Sequence, residues 1–115
     1  MSRGNILVKD SKNESSKGVY LYTHYYGERI QNVVMRTLQK KRRWNDEAYL
    51  TRMIFCELIK GDEDEEAGYG ISTYICDNEE PIVVVDVGTQ TVSIINSCDG
   101  EDGIDEVFSF EDFIK

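Results

Sequence analysis

The sequence predicts a two-layer α+β domain: an antiparallel-rich sheet of about five strands with two helices on one face, in the order ββααβββ with room for a short C-terminal element. Three observations carry this. Runs rich in β-formers lie at both ends of the chain, apolar spacing of helical period is confined to its middle, and the breaks between successive late runs are short and polar.

The first two runs, Asn5-Ile6-Leu7-Val8-Lys9 and Val19-Tyr20-Leu21-Tyr22-Thr23, flank the Ser/Lys/Asn/Gly stretch 10–17. They read as an antiparallel hairpin with a long polar loop. From Glu28 the period changes: Ile30, Val33, Val34 and Leu38 recur at i, i+3, i+4 and i+8, with Gln31, Asn32, Arg36 and Lys40 between them. That spacing makes an amphipathic helix. Its last turn, Lys40-Lys41-Arg42-Arg43, would set positive charge on the negative end of the macrodipole. Asn45 reads as the N-cap of a second helix, with Asp46 and Glu47 in the first turn and Leu50, Met53, Ile54 and Leu58 leading to a stop at Gly61. Because Ala48, Phe55 and Ile59 lie off that stripe, this helix is expected to bury more than one face and to be the central one.

Beyond the acidic loop Asp62-Glu63-Asp64-Glu65-Glu66, the runs 70–76, 82–87 and 91–96 are separated by breaks short enough for hairpins and read as a meander. Val107, Phe108 and Phe110 then suit a short strand, a final helical turn, or both. Ile82-Val83-Val84-Val85 is apolar on both faces, as is Ile94-Ile95. Helices on one face leave an alternate set exposed on the other, Val83-Val85-Val87 or Ile82-Val84, beside Tyr20 and Tyr22 or their alternates. A patch of that kind is usually occupied. A homo-oligomer or an obligate partner is expected, unless the C-terminal segment folds back over the patch.

With 115 residues, 40% hydrophobic, 30% charged, 9 Gly and 1 Pro, the composition is that of one compact soluble domain spanning 1–115 rather than a disordered or fibrous chain. No signal-peptide pattern follows Met1, and no apolar run nears the roughly 18 residues needed to cross a bilayer, so a cytoplasmic protein without membrane contact is expected. Cys56, Cys76 and Cys98 are odd in number, widely spaced and set in apolar segments, which suits reduced, packed thiols. A structural zinc site takes about four paired ligands, and His24 is the only histidine. No metal or cofactor is implied.

The balance of 13 Lys+Arg against 22 Asp+Glu gives a net charge of -9, which argues against a general nucleic-acid binder. The net value conceals an asymmetry. Residues 1–60 hold 12 basic and 6 acidic side chains and residues 61–115 hold 1 and 16, so the halves carry +6 and -15. The exclusion narrows to long polyanions, and a short anionic ligand on the basic half stays compatible with the acidic total. If strands of both halves share a sheet, the charges interleave.

Candidate chemistry gathers around the first helix. In Thr23-His24-Tyr25-Tyr26-Gly27-Glu28-Arg29 a helix N-terminus, a glycine, two tyrosines and an arginine coincide, as a nucleotide-like anion would require. The competing structural reading has the aromatics pack over the sheet edge and Gly27 make the turn. Lys40-Lys41-Arg42-Arg43-Trp44 is the one basic cluster with an adjacent aromatic, able to hold phosphate while Trp44 stacks on a base, or else to be a solvated helix end with Trp44 capping the core. Ala67-Gly68-Tyr69-Gly70-Ile71-Ser72 precedes a strand, so it is not a phosphate-binding loop; it releases the chain into the sheet with Tyr69 packed or lining a cleft. The stretch Asp99-Gly100-Glu101-Asp102-Gly103 lacks the alternation of a calcium loop. Catalysis has thin support, since any nucleophile would depend on His24 and the paired carboxylates lie in loops.

The segments Val19-Tyr20-Leu21-Tyr22-Thr23-His24, Tyr49-Leu50-Thr51-Arg52-Met53-Ile54-Phe55 and Gly68-Tyr69-Gly70-Ile71-Ser72 resemble a group of small bacterial and phage proteins of no established activity. The resemblance spans most of the chain after Gly18 and implies a mobile-element origin; it supplies no catalytic residues. The leading expectation is an oligomeric, non-enzymatic binding module that sequesters a small anionic, nucleotide-like ligand through His24, Tyr25, Tyr26, Arg29, Arg43, Trp44 and Tyr69. The alternative is an acidic inhibitor that mimics nucleic acid and occupies a basic host protein. A hydrolase or transferase built on His24 is a third reading.

Overall fold

The structure, a computed structural model, describes residues 2–96 and 105–115. The chain runs β1 (Gly4–Lys9), β2 (Val19–Thr23), a 3-10 turn (Gly27–Arg29), α1 (Ile30–Gln39), α2 (Glu47–Leu58), β3 (Tyr69–Ser72), β4 (Ile82–Asp86), β5 (Thr91–Ile95), β6 (Glu106–Ser109) and α3 (Phe110–Phe113). The α+β class holds, with six strands in one sheet ordered β3-β2-β1-β4-β5-β6. Every neighbouring pair is antiparallel except β1 and β4, where Ile6 faces Val83 and Val8 faces Val85 in parallel register.

The expected meander of three late strands does not form. Two consecutive helices return the chain to the end of the sheet where β2 finished, so β3 enters antiparallel to β2, with Leu21 opposite Ile71. The chain must then pass β2 and β1 to reach β4. Residues 73–81 make that passage across the face opposite the helices, anchored by Asn5, which is fully buried although it lies in an apolar strand. Its Nδ2 donates to the carbonyls of Cys76 and Asp77 and to Asn78 Oδ1, and its Oδ1 accepts from Cys76 N–H. Arg3 pairs beside it with Asp77 at 3.3 Å and Glu79 at 3.1 Å. Residues 73–76 are thus part of a crossover and not of a strand.

The core lies between sheet and helices. Ile6, Val8, Leu21, Val83, Val85, Val92 and Ile94 point to it from alternate strand positions and meet Ile30, Val33, Val34 and Leu38 of α1 and Leu50, Ile54 and Leu58 of α2. The second helix, expected to bury more than one face, buries less than the first. Five residues of the shorter α1 are buried and three of α2; Phe55 within α2 and Ile59 at its C-cap stay half-buried. The opposite sheet face carries Ile82 and Val84, in line with Leu7, Tyr20 and Tyr22 by register, all half-buried. The C-terminal segment does not cover that face. It adds β6 to the sheet edge and buries Phe110 on the helical side, edge-on to Trp44 at 5.4 Å between ring centroids.

Local signals differ in detail. The N-cap of α2 is Asp46, not Asn45: its carboxylate accepts from Tyr49 N–H at 3.2 Å. α1 ends at Gln39, so Lys41, Arg42 and Arg43 form the linker rather than a last turn. Lys41 and Arg43 take left-handed backbone, φ 53° and 60°. Cys56 is exposed rather than packed, and Cys76 is half-buried. Cys98 and the 99–103 stretch lie outside the described residues. No helix among the described residues is long and apolar enough to cross a membrane.

Candidate ligand-binding site

The approach to α1 is built by close backbone packing. A Cβ on Gly27 would stand 2.9 Å from the Ser2 carbonyl oxygen and 3.0 Å from the Arg3 carbonyl carbon, so only glycine lets the N-terminal segment lie against this turn. Ser2 then occupies the donors that a helix start would offer an anion. Its carbonyl accepts from Gly27 N–H at 2.8 Å, and its hydroxyl accepts from Glu28 N–H at 3.2 Å and donates to the Glu28 carboxylate. Glu28 is held below the ordinary carboxylate range by the Ser2 hydrogen bond first and its own backbone N–H next. The expected anion site on the helix N-terminus is therefore filled from within the chain.

What remains available lies one turn on and across the helix pair. A cavity of about 380 Å³ opens between the 3-10 turn, the outer sides of α1 and α2 and the start of β3. One wall is aromatic: Tyr26 and Tyr69 are stacked with centroids 6.5 Å apart and planes 26° from parallel. The Tyr69 hydroxyl donates to Asp62 Oδ2 at 2.6 Å, and burial followed by that bond pushes its pKa upward. Arg29 lays its guanidinium over the Tyr26 ring, 4.9 Å from the centroid, and forms no salt bridge among the described residues. The other wall brings Arg36 and Lys60 together with Glu57.

Glu57 sets the charge of this wall. Its side chain is 9% exposed, with Arg36 Nε at 3.2 Å and Lys40 Nζ at 3.6 Å. Burial alone would raise its pKa, but the Arg36 hydrogen bond and the charges of Lys60, Lys40 and Arg36 outweigh it and hold the carboxyl below its usual range. One carboxylate thus draws on Arg36, Lys40 and Lys60, and of the cations lining the cavity Arg29 is the one that does not act on it.

Three expected site residues, Tyr26, Arg29 and Tyr69, meet in this cavity. Tyr25 adjoins it, in a smaller space of about 200 Å³ shared with Tyr26, Asp62, Glu65, Ala67 and Tyr69. Its ring lies on Gly68, whose φ of 98° and lack of a Cβ allow the contact. His24 lines neither space: its Nδ1 is 3.1 Å from the Tyr22 hydroxyl, and its ring meets only Tyr25 of the expected residues, edge-on at 4.8 Å between centroids. Trp44 is half-buried against the core, donating from Nε1 to the Leu38 carbonyl at 3.1 Å and packing on Phe110. Arg43 stacks on Tyr49 at 4.6 Å in a separate cavity of about 400 Å³.

Arg36, Glu57, Lys60 and Asp62, with the apolar Val33 and Leu58, complete the lining and were not expected there. A signal existed. Arg29, Val33, Arg36 and Lys40 recur at i, i+4, i+7 and i+11, a stripe along α1 beside its apolar face. Residues 27–60 hold eight of the 13 Lys/Arg and four Asp/Glu, so the helical layer is basic while β3 returns acidic sequence to the edge of the basic hairpin. Among the described residues, no group of three His, Cys, Asp or Glu side chains converges as a metal site would require.

No protein-family model, curated protein or solved structure matches this chain. The chemistry of the cavity is read from its own side chains: a π-faced wall, a guanidinium fixed on it, and an ammonium opposite.

Proposed function

We propose that this protein is a non-enzymatic binding module that takes a small anionic, nucleotide-like ligand in the cavity between Tyr26, Tyr69 and α2, and sequesters it. The observation that carries the reading is Arg29. A guanidinium stacked on tyrosine, in no salt bridge among the described residues and sensed by Glu28 only through space, has its remaining donors available to a phosphate. Tyr26 and Tyr69 offer the flat surface that a base needs, and a cavity of about 380 Å³ falls in the range of small-molecule sites.

Isothermal titration with AMP and with cyclic AMP tests the reading. Binding is expected, weakened about tenfold or more in Arg29→Ala, the order of one charge-assisted hydrogen bond. Absence of heat with both nucleotides, or an Arg29→Ala variant indistinguishable from the parent, would overturn it.

A further inference from the structure

The helix pair carries a second cavity beyond the nucleotide one. Past Glu57, on the same outer surface, the second cavity of about 400 Å³ lies between the α1–α2 linker and α2, lined by Lys40, Arg42, Arg43, Tyr49, Arg52 and Met53. It repeats the chemistry of the first. Tyr49 is half exposed and carries the Arg43 guanidinium on its ring, as Tyr26 carries Arg29. Arg43 is 3.8 Å from Asp46, whereas Arg42 and Arg52 form no salt bridge among the described residues, and Arg52 reaches only the Cys56 sulfur, at 3.7 Å.

The two stations are connected through a neutralised middle. Arg36, lining the first cavity, and Lys40, lining the second, grip the same Glu57 carboxylate. Uncommitted positive charge is therefore concentrated at the two ends. From Arg29 to Lys40 the helix axis advances about 16 Å at 1.5 Å per residue. A single mononucleotide cannot reach both ends, and a chain of phosphates with bases attached can.

We infer that the groove along α1 and α2 takes a short single-stranded oligonucleotide, with one base against Tyr26 and Tyr69, another against Tyr49, and phosphates on Arg29 and on Arg42 with Arg52. This rests on the nucleotide reading of the first cavity. The net charge of -9 does not oppose it, because at physiological salt charges act over about 8 Å and a strand confined to the groove meets the basic helical layer first. A longer polyanion extending beyond the groove would run over acidic loops.

The test compares AMP with single-stranded tetra-adenylate by titration at several salt concentrations, on the parent and on an Arg42→Ala/Arg52→Ala variant. Both side chains are exposed, and circular dichroism checks that the fold is kept. Tetra-adenylate is expected to bind at least tenfold more tightly than AMP. The double variant should lose that advantage, keep the parent's affinity for AMP, and flatten the dependence of log K on log salt by about 1.4, or 0.7 for each phosphate contact. Equal binding of AMP and tetra-adenylate, or a double variant that holds tetra-adenylate like the parent, overturns the inference and leaves the mononucleotide reading standing. Loss of both ligands' binding in the parent removes the two together. Equal competition by an oligo-aspartate peptide would show charge without base recognition and would also overturn it.

Discussion

Asn5 and Cys76 are joined by a reciprocal pair of hydrogen bonds, from Asn5 Nδ2 to the Cys76 carbonyl and from Cys76 N–H to Asn5 Oδ1, each 3.3 Å. A side-chain amide thereby imitates a strand partner and ties the 73–81 crossover to β1. With the further bonds to the Asp77 carbonyl and Asn78 Oδ1, this pairing accounts for an amide at 0% exposure among Ile6, Leu7 and Val8.

Asn5→Ala should therefore cost far more than its size suggests. The Cys76 N–H loses its acceptor in a place half removed from water, and the penalty for leaving such a group unsatisfied is about 1–3 kcal/mol. Urea denaturation should show a lower midpoint with an unchanged slope. Alkylation of Cys76 should accelerate as the crossover lifts, while exposed Cys56 keeps its rate. An unchanged midpoint would mean that the amide is not what holds the crossover.

Glu57 couples the helices to pH. Its folded pKa lies below the ordinary glutamate value of about 4.3, so its stabilising contribution is complete above that value and is lost as pH falls through the lower folded one. Glu57→Gln should lower stability near neutrality by about 1 kcal/mol, since Arg36 and Lys40 are each half exposed and partly screened. The difference from the parent should vanish below the folded pKa. The same change removes the one carboxylate between the two cations and should tighten AMP binding, so the variant loses stability and gains affinity. A pH-independent difference would refute the assignment.

Lys41 ends α1 in left-handed backbone at φ 53°, its N–H bonded to the Leu38 carbonyl at 2.9 Å. A glycine does this without the clash between Cβ and the following carbonyl, which costs other residues about 1–2 kcal/mol. Lys41→Gly should raise the thermal midpoint, discounted by the greater freedom glycine has when unfolded. Lys41→Pro, which forces negative φ and removes the donor, should lower it sharply.

Much of the fold is legible in the chain because periodicity reports burial directly. The first hairpin, both helices and the cores of β4 and β5 follow from apolar spacing alone. Strand order does not, because Ile82-Val83-Val84-Val85 would suit any central position, and only Asn5 and the pair of helices decide that β3 joins β2. The site divides the same way. Tyr26 and Arg29 are visible as an aromatic and a basic residue leading into α1 and Tyr69 as a tyrosine between glycines before β3, although they are joined by tertiary packing. Glu57 and Lys60 are hidden because a lone glutamate and lysine on an exposed helix face look like solvated surface until the facing helix supplies Arg36 and Lys40.

Trp44 separates the sequence reading of the basic cluster from the structural one. If the indole stacked on a ligand base, replacing it would cost affinity first. Its placement against Phe110, with Nε1 donating to the Leu38 carbonyl, makes it a clamp between the linker and the core. Trp44→Phe keeps the ring contact and loses the donor, which should cost about 1 kcal/mol. Trp44→Ala also opens a cavity and should cost about 3–5 kcal/mol. AMP affinity, measured where both variants are folded, should match the parent because Trp44 does not line the Tyr26–Arg29 cavity. A Trp44→Phe protein of parental stability that failed to bind AMP would return Trp44 to the site and require the linker to move on binding.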